Sequence, residues 1–440
     1  MLNFRSLWDR LHSSLWFVPS LLVTSAVVLA LGLVEIDASV EWSNLHDRWP
    51  RLFGAGAAGS RGMLSAIASS MITVAGTAFS ITIVALALAS SQYTSRILRN
   101  FMRDRANQAV LGTFLGIFVY CVVVLRTIRS GDEGAFVPSL AVLFGVVLSL
   151  VGIGCLIFFI HHIASSIQAE SIIKSAADET IVAIDRLFPD KMGEAAGPDA
   201  GPVPDPASAA WQPIPAQETG YIQAVDGDGL LRFARERETV VRMERGIGEF
   251  IVEGAPLVAI AGGSPPEDGL ADAVAGLFTV GRQRTTFQDA GFGIRQIVDI
   301  ALKALSPGIN DTTTAVTCVQ YLSAVLARLA ARRLADPCRT DGGKVRVIVR
   351  GANFPGLLGE AFEQIRRNAE GNVAVLLAML DALEVVAGRT HDAGRLLAVA
   401  RHVELIAEVA RRSIPSLPDR EGIEAALDRL TKRGVTWTTN

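Results

Sequence analysis

The sequence predicts an α-helical membrane domain of four transmembrane helices joined to a cytoplasmic α+β domain with a small β module and a helical C-terminal part. Three observations predict it. Half of the 440 residues are apolar and the mean hydropathy is +0.36, an excess that membrane spans account for better than one very large core. Four uncharged apolar stretches, all before residue 161, are long enough to cross a bilayer. Beyond residue 219, short alternating runs between Gly-rich turns give way to long helical ones.

A bilayer core of about 30 Å needs roughly 20 apolar residues in a helix rising about 1.5 Å per residue. The expected spans are about 15–34, 63–90, 109–125 and 135–160 within a membrane domain of residues 1–164. The third is short, and Arg126 can snorkel to the interface. Arg5 and Arg10 ahead of the first span imitate a signal peptide, but that span is too long for one and more follow. The loop after the second span carries Arg96, Arg99, Arg103 and Arg105 against Asp104, and the loop after the first is mixed. The basic loop belongs inside, which places both termini in the cytoplasm of a multi-pass inner-membrane protein. The same arginines could hold anionic headgroups. Trp8, Trp16 and Trp42 suit interfaces.

His161 to Leu187 has no Pro or Gly, so the fourth span is expected to continue as a connecting helix over residues 165–188. Its irregular apolar stripe fits a helix packed on its own domain or a short coiled coil in a homo-oligomer. Residues 189–219 are expected to be a Pro-rich linker and 220–440 the cytoplasmic domain. Strands are expected at Gly220–Asp226, Thr239–Glu244, Glu249–Val252, Pro256–Ile260 and Lys344–Arg350. Helices are expected at about Phe287–Leu305 and Asp311–Leu334, and through Pro355–Arg433 with breaks near Gly388 and Pro415.

Two constellations are candidates for function. In the second span Ser69, Thr73, Gly76, Thr77 and Ser80 recur every three or four residues on one face. Such a face packs closely against another helix, or lines a pore in an oligomer through Ser69, Thr73, Thr77 and Ser80. Gly112 and Gly116 form a GxxxG in the third span, a packing face. The spans lack the membrane-depth carboxylates, lysines or histidines of coupled transporters, which favours a passive pore or an anchor.

The second constellation is the polar stretch Arg282–Thr314. Asp289, Gln296, Asp299 and Lys303 are expected on one helical face, opposite Ile294, Ile297, Val298, Ala301, Leu302 and Leu305. Gly308 suits a left-handed helix end, and Asn310 or Asp311 the next N-cap, with Thr313 or Thr314 supplying the N–H. ALSPGINDTTTA can be read wholly as helix–turn–helix capping. The same parts also make a ligand site of Arg284, Asp289, Arg295, Ser306, Asn310 and Asp311. Free N–H groups and the arginines would take an anion, whereas Asp289 and Asp311 would take a cation.

A net charge of −3 gives no field directed at nucleic acid. Cys121, Cys155, Cys318 and Cys338 form no CxxC, and the six histidines show no ligand spacing, so no metal, cofactor or disulfide framework is expected. No GxSxG, P-loop or HExxH occurs, and an enzyme would need an unrecognised site.

WFVPS, SSQYTSRILRNFMRDRANQAVLGTFLGIFVY and QDAGFGIRQIVDIALKALSPGINDTTTA resemble predicted bacterial membrane proteins grouped as domain of unknown function 2254, from Trp16 to at least Leu329. In that pattern a proline usually follows Asn-Asp, where this chain has Thr312. The resemblance implies a bacterial cytoplasmic-membrane protein and supplies no activity. The functions left open are an oligomeric channel or gated pore with a cytoplasmic regulatory domain, a membrane-anchored sensor or scaffold, and a membrane-bound enzyme.

Overall fold

The computed structural model describes residues 16–39, 56–92, 104–129, 136–166, 168–187, 194–195, 211–262, 269–332 and 337–436. Arg5, Trp8, Arg10, Trp42, Arg96, Arg99 and Arg103 lie outside the described residues. The chain forms two compact units, Met1–Ser171 and Ile172–Asn440.

The first unit holds α1 (Phe17–Ser39), α2 (Ala57–Gln92), α3 (Arg105–Thr127) and α4 (Ser139–Ser166). All four are long and apolar enough to cross a membrane. The shortest expected span, α3, is the most buried of them and packs against the other three. The reason lies in small residues at the crossings. A Cβ on Gly112 would sit 2.8 Å from Cα of Pro19, and one on Gly116 3.5 Å from Cβ of Ala26, so the GxxxG is a packing face towards α1. Phe114, Ile117, Tyr120 and Cys121 fill the centre, and the Tyr120 hydroxyl donates to the Ala141 carbonyl at 2.7 Å.

The helices run past the expected spans and take charges into their terminal turns. Asp37, in the last turn of α1, accepts from the N–H of Leu140 (3.2 Å) and Ala141 (2.9 Å), and so caps α4 from a different helix. Arg61, in the second turn of α2, donates to the Ile128 carbonyl at 2.7 Å, placing a cation at the C-terminus of α3. Asp104 is the N-cap of α3 through the N–H of Ala106, and its other oxygen lies 2.5 Å from Nε2 of His162. The spans are thus charge-free in their middles but not at their ends.

The fourth span does not continue unbroken to Leu187. α4 stops at Ser166 and a separate helix, α5 (Ala169–Leu187), begins three residues on. The hydroxyls of Ser165 and Ser166 donate to the carbonyls of His161 and His162, a competition with the helical ladder that weakens this end. α5 is amphipathic. Ile172, Ile173, Ala176, Ala177, Thr180, Ala183 and Ile184 form its buried face, most of it within the second unit.

The second unit adds β1 (Glu194–Ala195), β2 (Trp211–Pro215), β3 (Gly220–Val225), α6 (Gly227–Glu236), β4 (Val241–Met243), β5 (Phe250–Ile251), β6 (Pro256–Ala261), α7 (Leu270–Ala275) and β7 (Phe278–Gly281). α8 (Ala290–Ala304), α9 (Thr312–Ala330), β8 (Cys338–Asp341), β9 (Lys344–Ile348), α10 (Phe354–Asn368), α11 (Val373–Ala387), α12 (Ala393–Ser413) and α13 (Leu417–Lys432) complete it. One sheet has the order β1-β8-β9-β4-β6-β2, parallel only between β4 and β9, and a second has the order β5-β3-β7. Ile214, Ile222, Leu230, Val241, Leu257 and Val347 belong to the core that the strands share with α6.

The expected linker is in part sheet. β2 pairs with β6, Ile214 opposite Val258, and β1 pairs with β8. Proline is compatible with β2 because it is an edge strand, where a missing N–H costs little. α6, α7, β7 and β8 were not expected. The C-terminal breaks fall at Gly388, which caps α11, and between Ser413 and Leu417 around Pro415, with a further break at Ala369–Asn372.

Candidate functional site

The stretch linking β7 to α8 places the soluble candidates. Gln288 brackets the end of β3, accepting from the N–H of Val225 at 3.0 Å and donating to its carbonyl at 3.4 Å. Asp289, 6% exposed, is the N-cap of α8: Oδ1 accepts from the N–H of Phe292 at 2.9 Å. Arg284 folds back onto the same carboxylate, Nε to Oδ2 at 2.8 Å and Nη2 to Oδ1 at 3.0 Å. This two-pronged pair is the strong geometry for a guanidinium and a carboxylate. The Arg284 guanidinium also lies over the Phe292 ring at 5.4 Å.

Three glycines let other elements close on this pair. Gly248 has φ +83°, and a Cβ there would run into Oδ2 of Asp289. A Cβ on Gly291 would stand 2.8 Å from Oε2 of Glu360 on α10. A Cβ on Gly293 would collide with the Thr180 side chain of α5. The GFG of the QDAGFG motif is therefore where α10 and α5 approach the first turn of α8.

Glu360 completes the group, 3.8 Å from Nη1 of Arg284. One turn along α8, Arg295 pairs with Asp299 at 3.0 Å and donates to Oε1 of Gln364 at 3.3 Å. Burial pushes the Glu360 carboxyl up; Arg284 pulls it down, Asp289 raises it, Arg295 lowers it and Asp299 raises it. α5 is fastened at two further points. Thr286 donates to Glu179 at 2.6 Å, and Asp185 accepts from Arg328 and Arg332 of α9 at 2.7 and 2.6 Å. Those arginines hold the Asp185 carboxyl down at about 2.

The expected site is split. Arg284, Asp289 and Arg295 come together at the start of α8. Ser306, Asn310 and Asp311 follow its other end, about 22 Å away for a helix of 15 residues. Asp289 and Asp311 therefore do not share a cation. Ser306 donates to the Lys303 carbonyl at 2.6 Å. Asn310, not Gly308, takes the left-handed conformation, φ +49°, which asparagine tolerates. Asp311 is the N-cap of α9, accepting from the N–H (3.0 Å) and hydroxyl (2.6 Å) of Thr314. The N–H groups of Phe292 and Thr314, which an anion would use, are thus taken by Asp289 and Asp311. The polar face expected of α8 is covered only in part: Gln296 is 3% exposed where α9 and α10 pack on the helix, Asp299 is half-buried and Lys303 is exposed.

Glu360, Gln364, Glu179 and Thr180 were not expected. The spacing of Glu360 and Gln364, four apart on α10, is the signal that one face of that helix carries polar groups inward.

In the first unit, Ser69, Thr73, Thr77 and Ser80 are exposed on α2. Leu64, Ala68, Met71, Ala75 and Ala78 make the buried side of that helix. Thr73 and Thr77 donate to the carbonyls of Ser69 and Thr73 at 2.8 and 3.0 Å. A Cβ on Gly76 would meet nothing within 4 Å.

The family model described as predicted membrane protein (DUF2254) matches residues 12–385. The chain belongs to this family. Relatives described as uncharacterized proteins occur in Mycobacterium tuberculosis (strain CDC 1551 / Oshkosh) and Mycobacterium bovis. Each is 34% identical over 440 residues, spanning 98% of this chain and 83% of the relative. No solved structure matches the chain at a significant level. Thr312 stands at the first helical position of α9. Its hydroxyl accepts from Nδ2 of Asn372, the N-cap of α11, at 2.9 Å. Threonine here ties two helix starts together, which proline cannot do.

Proposed function

We propose that this membrane protein is a homo-oligomeric channel of the bacterial cytoplasmic membrane, lined by α2 and regulated by a cytoplasmic second unit. One observation carries the reading. Among the described residues nothing covers the Ser69–Thr73–Thr77–Ser80 face, while the opposite face of the same helix packs on α3 and α4. Hydroxyls that bond to their own helix cost little to expose and still offer lone pairs to a hydrated ion. Apart from Arg61 in its second turn, α2 carries no charged residue, as suits a passive path rather than a coupled one.

Purified protein in liposomes tests this. Ion flux above that of empty vesicles is expected, and Thr77→Trp, at an exposed position, should block it while leaving the fold intact. Flux equal to empty vesicles across varied ions and pH sinks the channel.

A second reading, a membrane-anchored sensor, draws on the fastening of α5. That helix follows α4 in the chain and is held to α8 through Thr180, to the segment before α8 through Glu179 and to α9 through Asp185. A change in the second unit would pull on the segment that leads to the first. Stabilisation of the protein by a small ligand, with no flux under any condition, would favour this reading.

A further inference from the structure

We propose that the second unit binds a small soluble phosphate on the face of its larger sheet that carries Trp211, Arg242 and Arg346. The site shares no residue with the α2 face or with the Arg284–Asp289 group.

Strand alternation builds this face. Ile214 stands opposite Val258, Val258 opposite Met243, Ile260 opposite Val241, and Val241 beside Val347. All of these belong to the apolar core that the strands share with α6. The residues between them point the other way. Trp211 of β2 stands opposite Ala261 of β6, Arg242 of β4 stands opposite Ala259 and beside Ile348 of β9, and Arg346 is two residues before Ile348. The strand order β9-β4-β6-β2 puts the two alanines between Trp211 and the two arginines. The middle of the face is therefore low and its sides are tall. Arg242 leans back across the alanines. Its guanidinium lies over the Trp211 ring at 4.3 Å, and its Nε donates to Glu244 at 2.7 Å.

The charges on this face do not cancel. Glu244 neutralises Arg242. Lys344, on the same side of β9, stands opposite Asp341 of β8, so those two offset one another. Arg346 carries the excess. It is half-buried and has no ion pair or hydrogen bond among the described residues, with its Nε shut away from water. The indole Nε1 of Trp211 is buried and unpartnered in the same way. A half-buried guanidinium next to a second one gains most from a single anion, and phosphate oxygens match its planar fork of donors. Membrane surfaces are held by clusters of roughly four to eight exposed cations. One unneutralised guanidinium, half-buried beside a narrow floor of alanines, suits one small anion instead. The phosphate takes the outer N–H groups of Arg346. Any shift of the Arg242 guanidinium towards it alters the ring on which that guanidinium lies, so Trp211 reports binding.

The test is fluorescence of the full chain in nanodiscs of zwitterionic lipid, titrated with inorganic phosphate and with pyrophosphate at constant ionic strength. Trp211→Phe supplies the background of the other tryptophans. A saturable change that Trp211→Phe lacks is expected, together with a rise in the melting temperature of the second unit. Arg346→Gln should weaken binding at least about tenfold, the loss of one charge-assisted hydrogen bond, whereas Arg367→Gln, exposed on α10, should leave it unchanged. If Arg346→Gln does not fold, Arg346→Lys keeps the charge without the fork and should also weaken binding. No response of Trp211 to either anion, or undiminished affinity in the Arg346 variant that folds, overturns the proposal. A response to nanodiscs containing phosphatidylglycerol but not to the soluble anions overturns it as well, and assigns the face to a bilayer. None of these readouts involves flux, so the channel and the phosphate site stand or fall separately.

Discussion

Gly293→Ala tests whether α5 is held by steric fit. Gly293 is buried in the first turn of α8, and an added methyl would collide with Thr180, itself fully buried on α5, reaching to 2.9 Å of its Cβ and 3.0 Å of its Cγ2. Forcing one methyl into such a contact costs about 1–3 kcal/mol. Alanine inside a helix returns up to about 1 kcal/mol relative to glycine. A net loss of about 1–2 kcal/mol is expected. In a unit of about 270 residues, 1 kcal/mol moves the melting temperature by about 2–4 °C. The full shift should therefore be a few degrees downward in the second unit, followed through Trp211 fluorescence.

The locality of the effect matters more than its size. Hydrogen exchange should quicken across residues 172–187 of α5 before it does in α11 or α12, since the methyl drives α5 away from α8 and leaves the other contacts of the unit alone. Thr180→Ala removes Oγ1 and Cγ2 and should recover part of the loss when combined with Gly293→Ala, giving a coupling of at least about 0.5 kcal/mol in the double-mutant cycle. A Gly293→Ala protein that melts with wild type and keeps α5 protected would refute the argument that glycine at this position exists to admit Thr180.

Asp311→Ala should lower the melting temperature of the second unit by removing the N-cap of α9, a loss of about 0.5–2 kcal/mol, with exposure placing it in the lower half. The Thr314 hydroxyl and N–H hold the Asp311 carboxyl below its usual range, so the gap between wild type and variant should be full above about pH 4 and close as pH falls through the folded value; melting curves across pH read it out. In the first unit, Gly112→Val should destabilise the helix bundle in detergent by about 1–3 kcal/mol or more, because the new atoms meet the backbone of Pro19, whereas Gly154→Val on α4, with nothing within 4 Å, should leave melting unchanged.

The four long helices were legible because length and apolarity are properties of one segment. Their ends were less so. Asp37 and Arg61 lie beyond the apolar cores, and what holds them is a partner on another helix, Leu140 and Ala141 for one and Ile128 for the other. Asp289, expected inside a helix from about Phe287, is instead the N-cap of α8, whereas the capping of α9 by Asp311 was readable from residue order, since an N-cap and its N–H lie three residues apart. The grouping of the site was not. Arg284 meets Asp289 in a segment that Gln288 ties to β3, and Glu360 arrives from 76 positions beyond Arg284. The edge strand β2 was hidden by Pro213 and Pro215, which ordinarily mark a break. The short α6 was hidden by two glycines and an aspartate in its first turn, although Asp226 caps it in the usual way.

The helix starts of this protein are largely internal joints. Asp104 closes α3, Asp37 closes α4 from across the bundle, Asp289 closes α8 and Asp311 closes α9. An anion arriving at any of these would have to displace a carboxylate already seated on the N–H groups, against the charge of that carboxylate. Binding by a helix dipole, which the order of residues suggests at the start of α9, is therefore the poorest use of this architecture. What remains uncommitted is different in kind: the α2 face of Ser69, Thr73, Thr77 and Ser80 is exposed, and Thr73 and Thr77 already donate to carbonyls of their own helix.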